Sequence, residues 1–468
     1  MDLDAVPQEG NATLAGHAKL MYARDAQGRV VTTTSRGWEA EEIVTTHAVD
    51  ALVAQAAAAR ERVAQGLASP LEYWMYDRRM DVALLSQTSG FWQWRVRRHL
   101  QPRHFAALSG GPARALCAGA GPVRRRTQGT AMNAIAAPVA DAGFRHSQAA
   151  HCESGVISSL MRHHGVPAMT ESMALGLSSG LSFAYLPFIK LSGLPLISYR
   201  MPPRAMIKGL LAPMAARFCF ETFRSPEDGQ RRLDALLADG HLVGLQTSVY
   251  WLPYFPPNMR FHFNAHNLLV YGKEGDEYLI SDPVFEEPVR CASADLARAR
   301  FAKGVLAPKG LMYYPQAIER KAVDAGAVRK AILKTVRNML APVPIVGVRG
   351  MRTLAGRIAK LAPADPRTVA FVGHLVRMQE EIGTGGAGFR FIYAAFLQEA
   401  AALLGKPQLL QMSDRLTAIG DDWRAFALKA ARMVKGREAV DPAKLAALLR
   451  EQARREESFF RDLKAAVS

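Results

Sequence analysis

The sequence predicts an α+β protein: a mixed helix-and-strand domain built around one cysteine, with helical segments on either side. Three observations predict it. A run reading HCESGVISSLMRHHG from His151 sets Val156, Ile157, Leu160 and Met161 at helical spacing on one face, with Gly165 as a left-handed stop. Two strand-like runs, HNLLVYG and EYLISDP, stand either side of a short turn, Lys273-Glu274-Gly275-Asp276. From residue 316 the pattern is helical almost throughout, broken by APVP, APADP and GTGGAG.

At 468 residues, 49% of them hydrophobic, the chain has material for two or three domains with proper cores. Its four cysteines, Cys117, Cys152, Cys219 and Cys291, are scattered without CxxC spacing, which argues against a disulfide framework or a metal site and fits a reducing cytoplasm. The first residues lack a basic stretch followed by an apolar core, so no secretory signal is expected. The most apolar region, 181–211, is interrupted by Lys190, Arg200, Arg204, Lys208 and several prolines, so no membrane span is expected there. The net charge is +17, and residues 316–468 hold 26 Lys and Arg against 15 Asp and Glu. That excess suits an acidic partner such as nucleic acid, an anionic membrane face or an acidic carrier protein; an ordinary solvated basic surface is the plainer alternative.

Taken in order, residues 1–108 read as a small helical module. The stretch from His47 to Ala64 is Ala-rich and helical, ending near Gly66 and Pro70. In LEYWMYDRRMDVALLSQTSGFWQWRVRRHLQP, Ser86, Gly90 and Val96 have the spacing of a helix-turn-helix. The second helix would carry Arg95, Arg97, Arg98 and His99 toward phosphates and base edges of DNA. Residues 109–131, rich in Gly, Pro, Ala and Arg, read as a linker, and Met132 as a natural start of the next unit, as if the first 131 residues were a fused module. Intact mass of the native protein tests the join: a product beginning near Met132 supports it and a full-length product refutes it.

Residues 132–315 form the mixed domain. Cys152 stands at the N-terminus of a half-buried helix, where the helix dipole favours thiolate, although a lone cysteine is by itself more often structural. Gly176 and Gly180 break the pattern that follows. Residues from Pro226 make an amphipathic helix with Leu233, Leu236 and Leu237 inside and Gly240 as cap, and HLVGLQTSVYWLPY reads as a strand ending at Pro253. With Glu274 and Gly275 as a two-residue loop, Lys273 pairs with Asp276 and His266 lies opposite Pro283, one step from Asp282. A carboxylate beside an imidazole, with a cysteine at a helix end, is the set of parts that thiol catalysis requires.

The motifs HCxxxxxxxLMRHHG, SMALGLSSGLSFAY, the LPY after the strand, and HNLLVYG with its following DP resemble the N-terminal domain of the butirosin biosynthesis protein H family over roughly residues 145–283. More distantly they resemble papain-like cysteine peptidases. The resemblance implies a papain-like fold and a triad of Cys152, His266 and Asp282. It also implies transfer of an acyl group, carried on the phosphopantetheine arm of a carrier protein, to an amine or other acceptor, with no bound cofactor. Papain-like enzymes commonly place a glutamine six residues before the cysteine as oxyanion donor. Here that position is His146, with Gln148 four before, so either is a candidate.

Residues 316–468 read as a basic helical domain. In GFRFIYAAFLQEAAALLG, Phe389, Tyr393, Phe396, Leu397, Ala400 and Leu404 share one side and Gly405 is the stop. With the following DDW it resembles the helical region that accompanies such N-terminal domains. Arg390, Glu399 and Trp423 read as packing and surface residues, and the GTGGAG loop as a helix connection, since it lacks the strand and lysine of a phosphate loop. The leading reading is a cytoplasmic acyltransferase with an acidic carrier protein as partner. The alternatives are a cysteine peptidase or amidase using the same triad, and a DNA-binding regulator whose second domain senses a ligand.

Overall fold

The chain opens on a hairpin, β1 (Lys19–Arg24) and β2 (Val30–Ser35), followed by a long helix α1 (Glu39–Ala64). Four short helices come next: α2 (Pro70–Asp77), α3 (Val82–Ser89), α4 (Gln93–His99) and α5 (Pro102–Ala106). The structure is a computed structural model and describes residues 1–108, 143–191, 193–381 and 383–468. The linker of 109–131, Met132 and Cys117 lie outside the described residues.

The hairpin and the first part of α1 do not belong to a separate helical module. Met21 and Tyr22 of β1 and Ile43 and Val44 of α1 are buried in the same apolar core as the C-terminal helices. Polar ties reinforce this: the Gln398 amide accepts from the N–H of Val30 at 2.8 Å and donates to the carbonyl of Gly28 at 2.9 Å. The Arg424 guanidinium lies 4.0 Å from the centre of the Trp38 ring. Pattern reading missed the hairpin because its exposed face is a polar run of threonines.

Helices α3 and α4 do meet at Gly90, whose φ of +80° makes the turn, and Val96 packs with Leu71, Met75, Met80 and Leu85 in a small separate core. Ser86 donates to the carbonyl of Phe91 across the turn. Arg97 and Arg98 are exposed, and Arg95 lies over the Phe91 ring at 4.5 Å. His99 is buried, with Nδ1 hydrogen-bonded to the carbonyl of His104, so it does not belong with those arginines on an outer face.

The mixed domain begins with α6 (Cys152–His163) and α7 (Glu171–Leu177), a hairpin of β3 (Leu181–Leu191) and β4 (Leu194–Arg200), and α8 (Ala205–Leu211). Its main sheet comprises β5 (Ala216–Glu221), β6 (Val243–Thr247), β7 (His266–Glu274), β8 (Glu277–Ser281), β9 (Val289–Ala292) and β10 (Met312–Ile318), all antiparallel, in the order β5-β10-β6-β7-β8-β9. Helices α9 (Pro226–Ala238) and α10 (Ser293–Arg300) cover one face, where Leu233, Leu236 and Leu296 join Leu268 and Val270. Leu269 and Tyr313 point the other way, into the core that holds Val156, Ile157, Leu160 and Met161 of α6. Burial on both faces explains why the β7 sequence reads as an apolar run rather than an alternation.

Two expected boundaries move. The strand expected to reach Pro253 stops at Thr247 and is followed by a single turn, Val249–Trp251. The helical domain expected from residue 316 starts later, because β10 runs to Ile318 and pairs with β5 and β6.

The C-terminal helices are α11 (Ala325–Met339), α12 (Gly347–Ile358), α13 (Pro366–Val376), α14 (Arg390–Leu404), α15 (Gln408–Val434) and α16 (Pro442–Val467). The stretch 387–404 is long and apolar enough to cross a membrane, yet most of it is buried inside the protein. Helix α14 is covered nearly all round: besides the expected face, Phe391, Ile392 and Ala394 are buried. Its Phe396 ring lies where a Cβ on Gly176 would stand, about 2.0 Å away, so Gly176 sits within α7 and admits α14 rather than breaking the helix. Arg390 is no surface residue: it forms a fully buried, two-pronged ion pair with Glu456 at 2.9 Å, and Glu456 also accepts from the Trp423 indole at 2.7 Å. Glu399 accepts from Thr170 and Ser172, holding α14 to the start of α7.

Candidate active site

Cys152 is the first residue of α6, whose opening N–H groups have no carbonyl partner within the helix. His151 is the N-cap: its Nδ1 accepts from the N–H of Ser154 at 3.3 Å. The buried Glu171 carboxylate accepts from the N–H groups of Ala150 and His151, at 2.9 and 2.7 Å, and from Ser154 Oγ at 3.1 Å. Tyr22, from the N-terminal hairpin, donates its hydroxyl to the same carboxylate at 3.0 Å. The other end of the helix closes as expected, with Gly165 at φ +84° and N–H bonds from Gly165 to the carbonyl of Arg162 and from Val166 to that of Met161.

Gly155 explains the glycine in HCESG. A Cβ there would stand 2.6 Å from the Ala149 side chain and 2.9 Å from Pro283, so only glycine lets the cysteine helix approach the turn that carries Asp282. The N–H of Ala149 donates to the carbonyl of Pro283 at 2.9 Å, fixing that approach.

His266 and Asp282 come together as expected, by a different register. Glu274 pairs with Glu277, so the two-residue loop is Gly275-Asp276, and an irregularity near Tyr271 shifts the pairing again before Leu269 meets Ser281. Gly275 takes φ +56°, which a glycine accommodates without strain. His266 Nε2 lies 2.7 Å from Asp282 Oδ2, both residues being buried. Asp282 also accepts from the Tyr254 hydroxyl at 2.9 Å and from the N–H of Val284 at 3.1 Å. Burial, followed by the Asp282 carboxylate, holds the Tyr254 hydroxyl well above its usual range, so it remains a donor.

Burial pushes the Cys152 thiol up, but the imidazoles of His151 and His266 outweigh it and draw the thiol well below its ordinary value. Burial pushes His266 down, while Asp282 and then the sulfur raise it, to about 10. The two shifts together favour a thiolate–imidazolium pair, which is lost when pH rises through about 10 as His266 gives up its proton. Cys291 is the contrast: burial pushes its thiol to about 12. Iodoacetamide at pH 7 is accordingly expected to alkylate Cys152 at least ~10-fold faster than Cys291, with a rate nearly flat from pH 7 to 9, whereas an ordinary thiol with a pKa of about 8.5 would climb steeply. Peptide mapping with Cys152→Ser as control checks it; a Cys152 no more reactive than Cys219 or Cys291 would count against an activated nucleophile.

Neither expected oxyanion candidate offers a free donor to the thiol. His146 has Nδ1 bonded with Ser281 Oγ at 2.7 Å and Nε2 with the carbonyl of Phe285 at 3.0 Å. The Gln148 amide donates to the carbonyls of Ala18 and Val284, tying the N-terminal segment to the Asp282 turn. Sequence spacing could not anticipate this, because Ala18 arrives from far upstream. Other residues brace the site instead, Glu171 and Tyr22 behind His151 and Tyr254 behind Asp282. His151 was visible in the HC pair and Tyr254 in LPY, but Glu171 and Tyr22 carried no signal of their own. The GTGGAG connection is also more than a link: Gly383 lies against the backbone of Ala150 and His151, and Phe389 packs edge-on against the His151 ring at 5.0 Å.

Residues 151–283 match the family model described as butirosin biosynthesis protein H, N-terminal. Residues 294–463 match a second model, a domain of unknown function, DUF4872. No curated protein matches the chain.

Proposed function

We propose that this biosynthetic enzyme of the butirosin-related type, whose residues 151–283 form a butirosin biosynthesis protein H N-terminal domain, is an acyltransferase with a papain-like site. Cys152 Sγ attacks the carbonyl carbon of a carrier-bound thioester, and His266 protonates the departing thiol of the phosphopantetheine arm. An incoming amine or other acceptor then gives its proton to His266 as it displaces Cys152 from the acyl-enzyme. Asp282 keeps the imidazole oriented and stabilises its cation, with Tyr254 holding the carboxylate. The observation that carries this reading is the 2.7 Å His266–Asp282 contact beside a thiol drawn toward thiolate at the head of α6.

A thiolate already formed suits a thioester, whose leaving group needs little protonation. Burial of Cys152, His266 and Asp282 favours transfer over hydrolysis by limiting water at the acyl-enzyme. The chain's net charge of +17 suits an acidic carrier protein approaching under electrostatic attraction.

Incubation with an acylated carrier protein, then mass spectrometry of the Cys152 peptide, is expected to show an acyl adduct that is absent in His266→Ala. Hydrolysis of a peptide or amide with no such adduct would favour a peptidase instead. The rate of adduct formation should fall several-fold between 50 and 300 mM salt; a salt-independent rate would remove electrostatic steering from the account.

A further inference from the structure

The oxyanion formed when Cys152 attacks a carbonyl needs a second hydrogen-bond donor beside the N–H of Cys152, because the C–O π pair moves onto that oxygen. His146 and Gln148 are committed to other acceptors, as shown above. His151 is not. The backbone N–H of Ser154 points at His151 Nδ1 at 3.3 Å, with the Ser154 hydroxyl 2.9 Å from the same nitrogen; the neutral ring that accepts from that N–H carries its lone pair on Nδ1 and its proton on Nε2. His151 is only 3% exposed, and Nε2 has no hydrogen-bond partner among the described residues. Burying an unpaired donor is destabilising, so a fold that keeps one in the residue before the nucleophile is holding it for something that binds there.

The ring is also held firmly. Ser154 and the Glu171 carboxylate fix its Nδ1 side and backbone, and Phe389 closes one flank at 5.0 Å. Phe389 itself has φ +72°, a left-handed conformation unfavourable for a bulky residue, so the C-terminal loop accepts backbone strain while pressing that ring against His151.

We propose that His151 Nε2–H is the oxyanion donor of this site, taking the place that a glutamine side chain fills in papain-like enzymes. The inference rests on the acyl-transfer reading for its natural substrate, but requires only that Cys152 attack an ester or thioester carbonyl. The Cys152 Sγ–carbonyl bond forms as the C–O π pair moves onto oxygen, where Nε2–H and the N–H of Cys152 receive it. The pair then returns, breaking the bond to the leaving thiol, which takes its proton from His266.

The test compares two reactions of one sulfur in the full chain. Iodoacetamide alkylates Cys152 by direct displacement and forms no oxyanion; p-nitrophenyl acetate acylates it through one. Each is measured from pH 6 to 10 for wild type, His151→Ala and His151→Gln. Loss of the imidazole is expected to raise the pH at which alkylation reaches its plateau, with the plateau rate within about threefold of wild type. The p-nitrophenolate burst rate at that same plateau should fall about 10²-fold in His151→Ala, and less in His151→Gln, whose amide N–H can donate. If the burst falls no further than alkylation does, His151 only ionises the thiol and the proposal is overturned. A wild type that alkylates rapidly but gives no burst overturns it as well. Should His151→Ala fail to fold, the ratio of the two plateaus in His151→Gln decides in the same way. Wild type that gives the ester burst but no adduct from acylated carrier protein would remove the carrier reading and leave the donor role standing.

Discussion

On the acyl-transfer reading, Cys152→Ala is expected to leave no acyl adduct and to lower turnover to the level of the uncatalysed reaction, a loss of about 10⁴-fold or more. His266→Ala is expected to do nearly the same, and the double variant to be no worse than either single one, because the two groups act as a unit. Asp282→Asn should also cost on the order of 10⁴-fold: an amide can present its N–H to the ring and stabilise the wrong tautomer. Tyr254→Phe removes one of the bonds to Asp282 Oδ2 and leaves the His266 contact in place, so a loss of about 5–30-fold is expected. Single-turnover acylation followed by quenched mass analysis ranks the four. Equal losses for Tyr254→Phe and Asp282→Asn would mean that Asp282 acts through its position alone.

The second large effect is on stability. In Glu456→Ala, the Arg390 guanidinium, fully buried, loses both of its carboxylate bonds, and the Trp423 indole N–H loses its acceptor. Breaking a buried pair from one side costs about 3–5 kcal/mol. The midpoint of urea unfolding should drop accordingly, and Glu456→Gln should show only part of that loss because its carbonyl can still accept. Replacing both partners, as Arg390→Met with Glu456→Leu, should restore most of the stability, since no charge is then stranded. A double variant as unstable as Glu456→Ala would show that packing around Tyr199 and Trp423, which the Arg390 guanidinium overlies at 5.5 and 5.4 Å, dominates instead.

How much could be read beforehand follows the range of the interactions. The α6 helix, its Gly165 stop, the amphipathic α9 and the β7–β8 pair are local patterns, and each formed where its periodicity put it. The meeting of His266 and Asp282 was also legible, although the hairpin is offset from the expected pairing by two residues beside the turn and by one on the His266 side. A loop of Gly275-Asp276 puts glycine at the first position, where the backbone must turn with φ > 0, and the irregularity near Tyr271 has no mark in the sequence. What escaped was everything carried by distant segments. Glu171 clamps the residues before Cys152, Ala18 engages Gln148, Phe389 faces His151, and Phe396 fills the space above Gly176. The expected separation into an N-terminal module and an enzyme failed for the same reason: a hairpin of polar threonines gives no hint of the core that its other face enters.

The tie between β2 and α14 has a consequence in time. Val30 and Gln398, the partners that seat the hairpin, are 368 residues apart, and Tyr22 depends on that hairpin to reach Glu171. At about 5–20 residues per second of synthesis, the hairpin waits roughly 20–70 s for its partner to emerge. Long-range closures of this kind also form late in folding, after the loops between them have been entropically closed. Throughout that interval the nascent chain carries Cys152 without its Tyr22–Glu171 clamp or the Phe389 wall beside His151. The surroundings of His151 are therefore completed only after α14 has emerged and docked, although the two imidazoles that draw the thiol down, His151 and His266, are made well before it.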